Sequence, residues 1–324
     1  MDLTSYPRLP EAAVDTISHA IVTPPPSGEA PREYREVVEA ALAALPPDLP
    51  TDPSQLLIGL DIDGTLITRN GASTRVREAF HALTDAGAHP VVTTGRSPGA
   101  TVPVMQMLDA DTALVVCSNG AVFTEFHPRH TGGAYVRSAR YFEVREVLDR
   151  ALDAVPGALI GVEADFGYLL SQSFPAGEFI EHIRIATFDE LRSKTTAKMV
   201  IRAPWMDVPE FSQMIAESDL RDTHEVFVGW TSWADVGPLG VTKASALAQL
   251  AQDFDIPPEG TIAVGDGTND VPMFDWAHFA VSMGGAHDSV KASADYVTAS
   301  VENDGSAALM DALLIHCGVE NVPN

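Results

Sequence analysis

Two aspartates, Asp61 and Asp63, stand two positions apart directly after the apolar run LLIGL at 56–60, and Gly64 and Thr65 follow them. A continuous apolar run of this length reads as a parallel strand buried on both faces. In open parallel sheets the carboxyl ends of the strands face the ligand crevice, so Asp61 can point its carboxylate into that crevice. Gly64 lets the chain turn away sharply. Further along, Thr93-Thr94-Gly95-Arg96 ends a second apolar run, PVVTT at 90–94. The Thr94 hydroxyl and the free backbone N–H groups at Gly95 can hold a phosphate oxygen, although a Thr-capped strand-to-helix turn has the same composition. Lys243 opens a helical stretch, and Gly265-Asp266-Gly267-Thr268-Asn269-Asp270 follows the run TIAVG. Asp266 and Asp270 with the Asn269 amide make a hard, oxygen-rich group suited to Mg²⁺; a helix N-cap is the alternative use of such residues. A calcium loop is a poor match to DIDG, because that template needs a third acidic position before the glycine and a glutamate beyond it. Packing Asp61, Asp63, Asp266 and Asp270 into one crevice without a cation is strongly unfavourable. A divalent ion relieves the repulsion and also attracts a phosphate. The reading requires Asp61 and Asp266 to meet at one rim of the sheet.

The elements that must position these residues alternate. After the strand at 56–60, a helix is expected from Ser73, which can cap it, to Gly87, which can end it. A strand at 90–94, a helix near 98–108 and a strand at 114–118 follow. From 244 the alternation returns, with helices at 244–254, 271–277, 288–294 and 305–317 between strands at 261–265, 278–283 and 295–299. This order predicts an α/β fold, a doubly wound parallel sheet. The stretch between differs. A helix at 142–155, neighbouring strand-like runs ALIGVEA and GYLLSQS, a short helical piece, AKMVIRA, a helix near 207–218 and HEVFVGW predict an inserted α+β unit with an antiparallel sheet. The expected division is a Pro-rich helical extension at 1–50, a main unit at 51–131 and 238–324, and an insert at 132–237. Within 1–50 the prolines leave room for helices at 11–20 and 32–45, the second with Val37, Val38, Ala41, Leu42 and Leu45 at helical spacing. This extension reads as an appendage packed on the main body; a dimerisation arm or a lid is the other reading.

The chain has 324 residues, 45% of them apolar, with a formal net charge of −25. That is core material for two domains. The charge repels nucleic acid and anionic membranes, so neither is an expected partner. It also means that an anionic substrate needs local positive charge from a lysine and a metal ion. No apolar run approaches the roughly 18 residues of a membrane span, and the first residues carry no basic start followed by an apolar core, so no signal peptide is expected. Cys117 and Cys317 are far apart and outside any CxxC pair, which suits a reducing cytoplasm.

DIDGTL, TTGRS, GVTK and VGDGTND, in this order, resemble the four motifs of the haloacid dehalogenase superfamily of phosphotransferases. CSNGAVF at 117–123 and the tail AVSMGGAHDSVKASADYVTASVENDG at 280–305 are similar to the Cof-like branch, whose α/β cap lies between the second and third motifs. The resemblance covers about residues 55–316 and implies a Rossmann-like core, an inserted cap and a Mg²⁺-dependent phosphatase. It implies that Asp61 is a nucleophile that forms an aspartyl-phosphate. Asp63 would be the general acid and then the base, with its backbone carbonyl on the metal. Thr94, Gly95, Lys243 and Asn269 would hold the phosphoryl group. Asp266 would bind the metal directly, and Asp270 and Asn269 directly or through water. Arg96 and Asn119 are further candidates near the phosphate. The implied substrate is a small phosphorylated metabolite, a sugar phosphate or similar phosphomonoester. A phosphomutase shares the first step and stays open here, as does a non-catalytic binding protein on the same fold. In the insert, Glu163, Asp165, Tyr168, Lys198 and Trp230 are candidates for substrate contact.

Overall fold

The computed structural model describes residues 23–110, 112–127, 134–164, 167–179 and 181–319. The helix expected at 11–20 and the candidate Asp165 lie outside them. The first described helix is α1 (Tyr34–Ala44). It leads to β1 (Leu57–Leu60), α2 (Thr74–Asp85), β2 (His89–Thr93), α3 (Pro98–Met107) and β3 (Ala113–Cys117), followed by β4 (Val122–Phe126) and β5 (Ala134–Ala139). The helix starts are locally encoded: the Ser73 hydroxyl accepts from the Val76 N–H and the Ser97 hydroxyl from the Ala100 N–H, each covering an otherwise orphaned donor.

The chain then builds a second body: β6 (Phe142–Glu143), α4 (Val144–Ala154), β7 (Leu159–Ala164), β8 (Gly167–Leu170), β9 (Ile183–Ile185), α5 (Phe188–Arg192), β10 (Thr195–Thr196), β11 (Met199–Arg202), α6 (Val208–Glu217), β12 (His224–Val228) and β13 (Trp233–Pro238). It returns through α7 (Lys243–Asp253), β14 (Thr261–Gly265), α8 (Val271–Trp276), β15 (Phe279–Ser282), α9 (Asp288–Lys291), β16 (Tyr296–Val297) and α10 (Gly305–His316).

The large sheet runs β16-β15-β14-β1-β2-β3-β4-β5. β1 sits inside it, parallel to β14 and β2, and all four of its residues are buried. Alternation along β1 serves two cores. Ile58 and Leu60 pack with α2, α3 and α10 through Phe80, Val104 and Leu313, whereas Leu57 packs with α7 and α8 through Leu247 and Phe274. The parallel alternation ends at β3: β4 and β5 are antiparallel additions. Sequence reading gave these two no strands and put 134–139 in the insert, whereas β5 pairs with β4 in the large sheet. Its buried-exposed alternation is that of a strand packed on one face only, a weaker signal than a doubly buried run.

The smaller sheet runs β12-β13-β11-β7-β8-β9, antiparallel except for β8 with β9. One face packs under α4, α5 and α6 through Ile160, Val162, Met199, Ile201, Ala234 and Val236. No strand is among those expected at β13; its sequence WADVGP carries Asp, Gly and Pro, all depleted in strands. The extension docks against the large unit: Val37 and Ala41 of α1 are wholly buried, and the Tyr34 hydroxyl donates to Asp311 of α10 at 2.6 Å.

Candidate functional site

Loops at the carboxyl ends of β1, β2 and β14 line one cleft between the two sheets, backed by the turn after β3 and the start of α7. Asp61 is fixed as the residue leaving β1, its N–H donating to Val264 O at 3.0 Å. Its side chain receives Lys243 Nζ at 2.5 Å, and the same ammonium donates to Asp270 at 2.7 Å. Lys243 and Asp270 are wholly buried. Thr242 and Ser245 cap α7 reciprocally, which fixes where the lysine starts. The second Asp270 oxygen accepts the backbone N–H groups of Asp266 and Gly267 at 2.9 and 2.8 Å. The N-cap use weighed for this run is not what forms: Asp270 precedes α8 without a side-chain cap bond, and it organises the loop while also facing Lys243. Gly64 has φ +83°, and a Cβ there would collide with the Asp266 carboxylate, so the β1 turn and the β14 loop can meet only with glycine at this position.

The expected meeting occurs. Carboxylate oxygens of Asp61, Asp266 and Asp270 all lie within 4.8 Å of one another. Asp63 takes a separate partner: Arg96 grips both of its oxygens, at 2.8 and 2.6 Å. The Thr94 hydroxyl accepts the Arg96 N–H at 3.1 Å, which holds the turn after β2. Gly95 lines the cleft beside Thr94. Asn269 donates to Asn119 Oδ1 at 2.8 Å, and Asn119 donates to Asp235 at 3.0 Å, so these two amides form a relay across the cleft.

Burial first, and then its neighbours Asp270 and Asp63, push the Asp61 carboxyl up to about 7 against the pull of Lys243. Burial, followed by the charges of Asp61 and Asp270, pushes Asp266 well up from the ordinary carboxylate range. Burial opposes the charge on Lys243, yet Asp270 and Asp61 outweigh it and raise its proton affinity. The charge count explains these directions. Arg96 balances Asp63, and Lys243 balances one of Asp61 and Asp270. Two negative charges remain, with no ammonium or guanidinium paired to them among the described residues. A hard divalent cation such as Mg²⁺ fits that donor set. Asp61 and Asp266 have the more open oxygens, since Asp270 already serves Lys243 and two backbone N–H groups.

Several partners were not visible in the sequence reading. Ser118 and Asn119 have φ of +51° and +54°, a left-handed turn that non-glycine residues rarely take. The Ser118 hydroxyl donates to Glu163 of β7 at 2.8 Å. Lys198 reaches from the smaller sheet to the Gly95 carbonyl at 2.5 Å. Ser97 donates to Glu181, and Thr268 donates to Val228 O at 2.8 Å. Of the insert candidates, Tyr168, Lys198 and Trp230 line the cleft, and Glu163 is buried against Ser118 and Tyr168. Asp235, Ser97 and Glu181 were missed. Period-two alternation through β13 would have flagged Asp235 as facing opposite to Ala234 and Val236.

The family model for haloacid dehalogenase-like hydrolases matches residues 58–310. The chain is 28% identical over 266 residues to the Bacillus subtilis 5-amino-6-(5-phospho-D-ribitylamino)uracil phosphatase YitU, covering 78% of this chain and 96% of that one. It is 25% identical over 272 residues to the Escherichia coli pyridoxal phosphate phosphatase YbhA, covering 80% and 98%. Its fold is similar to that of the phosphatase BT1666 of Bacteroides thetaiotaomicron, with a TM-score of 0.64 at 23% identity over 85% of this chain and 100% of that one.

Proposed function

The chain belongs to the haloacid dehalogenase-like hydrolase family and is a phosphatase, and from this premise we propose that it hydrolyses a small phosphomonoester through a phosphoryl group carried on Asp61. The observation that carries the reading is the Asp61 carboxylate lining the cleft, held by Lys243, with Asp266 and Asp270 oxygens within 4.8 Å. An Asp61 oxygen attacks phosphorus, the bond from phosphorus to the ester oxygen breaks, and the leaving alkoxide takes a proton from Asp63. Water then attacks the same phosphorus and gives its proton to Asp63. Inorganic phosphate leaves and the Asp61 carboxylate is restored. Both oxygens of Asp63 are engaged by Arg96. Proton exchange with the ester oxygen therefore requires one of those bonds to be released.

Thr94 and the Gly95 backbone are suited to the phosphoryl oxygens, and Lys243 keeps Asp61 oriented and offsets its charge. Asp61, Asp266 and the Asp63 backbone carbonyl would hold Mg²⁺, with Asp270 behind them. When bound, the ion supplies charge neutralisation at the phosphoryl oxygens. We take the smaller sheet with its helices as a cap that excludes water from the cleft. Both named relatives act on phosphomonoesters of small molecules, which supports that substrate class here. The test is phosphate release across a panel of phosphorylated metabolites with Mg²⁺ and with EDTA. The expected result is release from some members, abolished by EDTA and restored by Mg²⁺. Turnover indifferent to chelation would remove the metal role. Isomer formation without phosphate release would replace hydrolysis by a mutase reaction.

A further inference from the structure

The smaller sheet has two unlike faces. Ile160, Val162, Met199, Ile201, Ala234 and Val236 point to its helices. Strand alternation sends the intervening residues to the cleft. There Val200 and Tyr168 form a separate apolar cluster with Phe174, Phe179 and Trp233. The ring centres of Tyr168 and Phe179 are 4.5 Å apart, and those of Phe179 and Trp233 are 5.5 Å apart. Tyr168, Phe179 and Trp233 border the same cleft as Asp61, Asp63 and Thr94. One wall of the cleft is therefore acidic and catalytic, and the facing wall is aromatic.

Glu178 borders this cleft beside Phe179. Its Oε1 accepts both Nε and Nη2 of Arg202, at 3.0 and 2.8 Å. The two side chains are only 8% and 9% exposed. Among the described residues, Oε2 is buried with no hydrogen-bond partner. A buried acceptor left unmade costs roughly 1–3 kcal/mol, more when it is charged. Such an orphan beside a ligand cleft marks a place where a ligand supplies the donor. On the neighbouring wall Lys198 already serves the Gly95 carbonyl and lies 3.7 Å from Asp235.

We propose that Phe179, Trp233 and Glu178 Oε2 form a leaving-group subsite. It takes a planar group that carries an N–H or O–H donor and no second negative charge. This rests on the phosphatase reading above and names the class of ester that reading leaves open. Flat rings match an aromatic wall by stacking, a donor meets the orphan oxygen, and a second anion would face the carboxylates of Glu178 and Asp235.

The experiment compares 3-aminobenzyl, benzyl, cyclohexylmethyl and 4-carboxybenzyl phosphates with the wild-type chain and with Glu178→Gln. The expected order of kcat/KM in the wild type is 3-aminobenzyl, benzyl, cyclohexylmethyl, then 4-carboxybenzyl. The amine should be worth about tenfold or more, as for other sites built to bond a donor. Glu178→Gln should erase the amine advantage, bringing 3-aminobenzyl phosphate down to the efficiency of benzyl phosphate. Equal efficiency of the amino and unsubstituted esters in the wild type would overturn the subsite, and so would an equal loss for all four in the variant. The wild-type comparison stands even if the variant folds poorly, since Arg202 then loses its charged partner. Tryptophan-fluorescence titration with 3-aminobenzyl and benzyl alcohols reads the subsite without turnover. Amine-selective binding by a protein that releases no phosphate would sink the phosphatase reading alone. Phosphate release from all esters with equal efficiency would sink the subsite alone.

Discussion

Lys243→Met tests the charge economy of the site. The substitution keeps the stem and removes only the ammonium. In the structure that ammonium bonds Asp61 at 2.5 Å and Asp270 at 2.7 Å, and the three side chains are 0%, 9% and 0% exposed. Solvent therefore screens neither contact. Removing one partner of a buried ion pair costs about 3–5 kcal/mol, because the other charge stays buried and unpaired. Against a total stability of about 5–15 kcal/mol this is a large share. By contrast Arg35 and Glu39, 89% and 63% exposed at 2.8 Å, form a pair worth about 0–1 kcal/mol, so Arg35→Met serves as the control. The pH dependence carries a sign. Asp61 already stands at about 7 with Lys243 pulling it down, so removal of the lysine raises it further. A carboxyl raised in the folded state contributes stability below its unfolded value near 4, which is lost as pH rises through the folded value. The deficit of Lys243→Met should therefore grow from pH 5 to pH 8. Added Mg²⁺ should stabilise the variant more than the wild type, since the ion substitutes for the missing charge. Denaturant unfolding in EDTA, repeated across pH and with Mg²⁺, measures all of this. A deficit under about 1 kcal/mol at pH 8 would refute the reasoning, as would a deficit that ignores pH. Turnover should fall by about 10²-fold or more, the scale for losing one preorganised charge partner.

Two further outcomes follow from the same geometry. Asp61→Asn should reduce phosphate release to background while far-UV circular dichroism and the melting transition stay those of a folded protein, because charge is lost without volume; retained turnover would end the nucleophile assignment. Glu163 is pushed up to about 7 by burial, with Lys198 and the Ser118 hydroxyl pulling the other way and Glu181 and Asp235 adding to the rise. Its contribution is thus fully present below its unfolded value near 4.5 and lost as pH rises through about 7. Glu163→Gln, which mimics the protonated form, should gain stability over the wild type from pH 5 to pH 8, by up to about 3 kcal/mol; a gap constant with pH would contradict this.

The loops of the candidate site were legible because each is announced locally. LLIGL before Asp61 and TIAVG before Asp266 are doubly buried runs, and Ser73 caps the helix the sequence starts there. The parallel order of β1, β2, β3 and β14 then brings Asp61 to Asp266, a meeting across 205 positions that topology alone supplies. What was hidden is contact between the two sheets. Glu163 with Ser118, Lys198 with Gly95 and Asn119 with Asp235 link residues 45, 103 and 116 positions apart, and no periodicity records such pairings. β13 was hidden for another reason. Val200 of β11 and Val226 of β12 are held by pairing partners on β13, so tertiary pairing overrides the poor strand propensity of WADVGP. In the extension, the helical spacing of Val37 and Ala41 marked a buried stripe but not its docking surface on α10, which is set by Tyr34 and Asp311, 277 positions apart.

The net charge of −25 sharpens what the cleft must do. Its buried cations are committed to the protein's own oxygens: Lys243 to two aspartates, Arg96 to Asp63, Lys198 to a carbonyl. None is spare to draw in a dianionic phosphate. Had the site been a plain anion pocket, helix ends and unpaired lysines would face the cleft. Instead two negative charges are left over at Asp61, Asp266 and Asp270, close enough to share one ion. That surplus is destabilising to the empty protein, as the raised positions of Asp61 and Asp266 record. On the proposed reading the same surplus would give a divalent ion its affinity, and the ion would turn a repulsive cleft into an attractive one. The lysine and arginine therefore act as fixed counter-charges that keep the surplus at two rather than four, matched to one divalent ion and not to several.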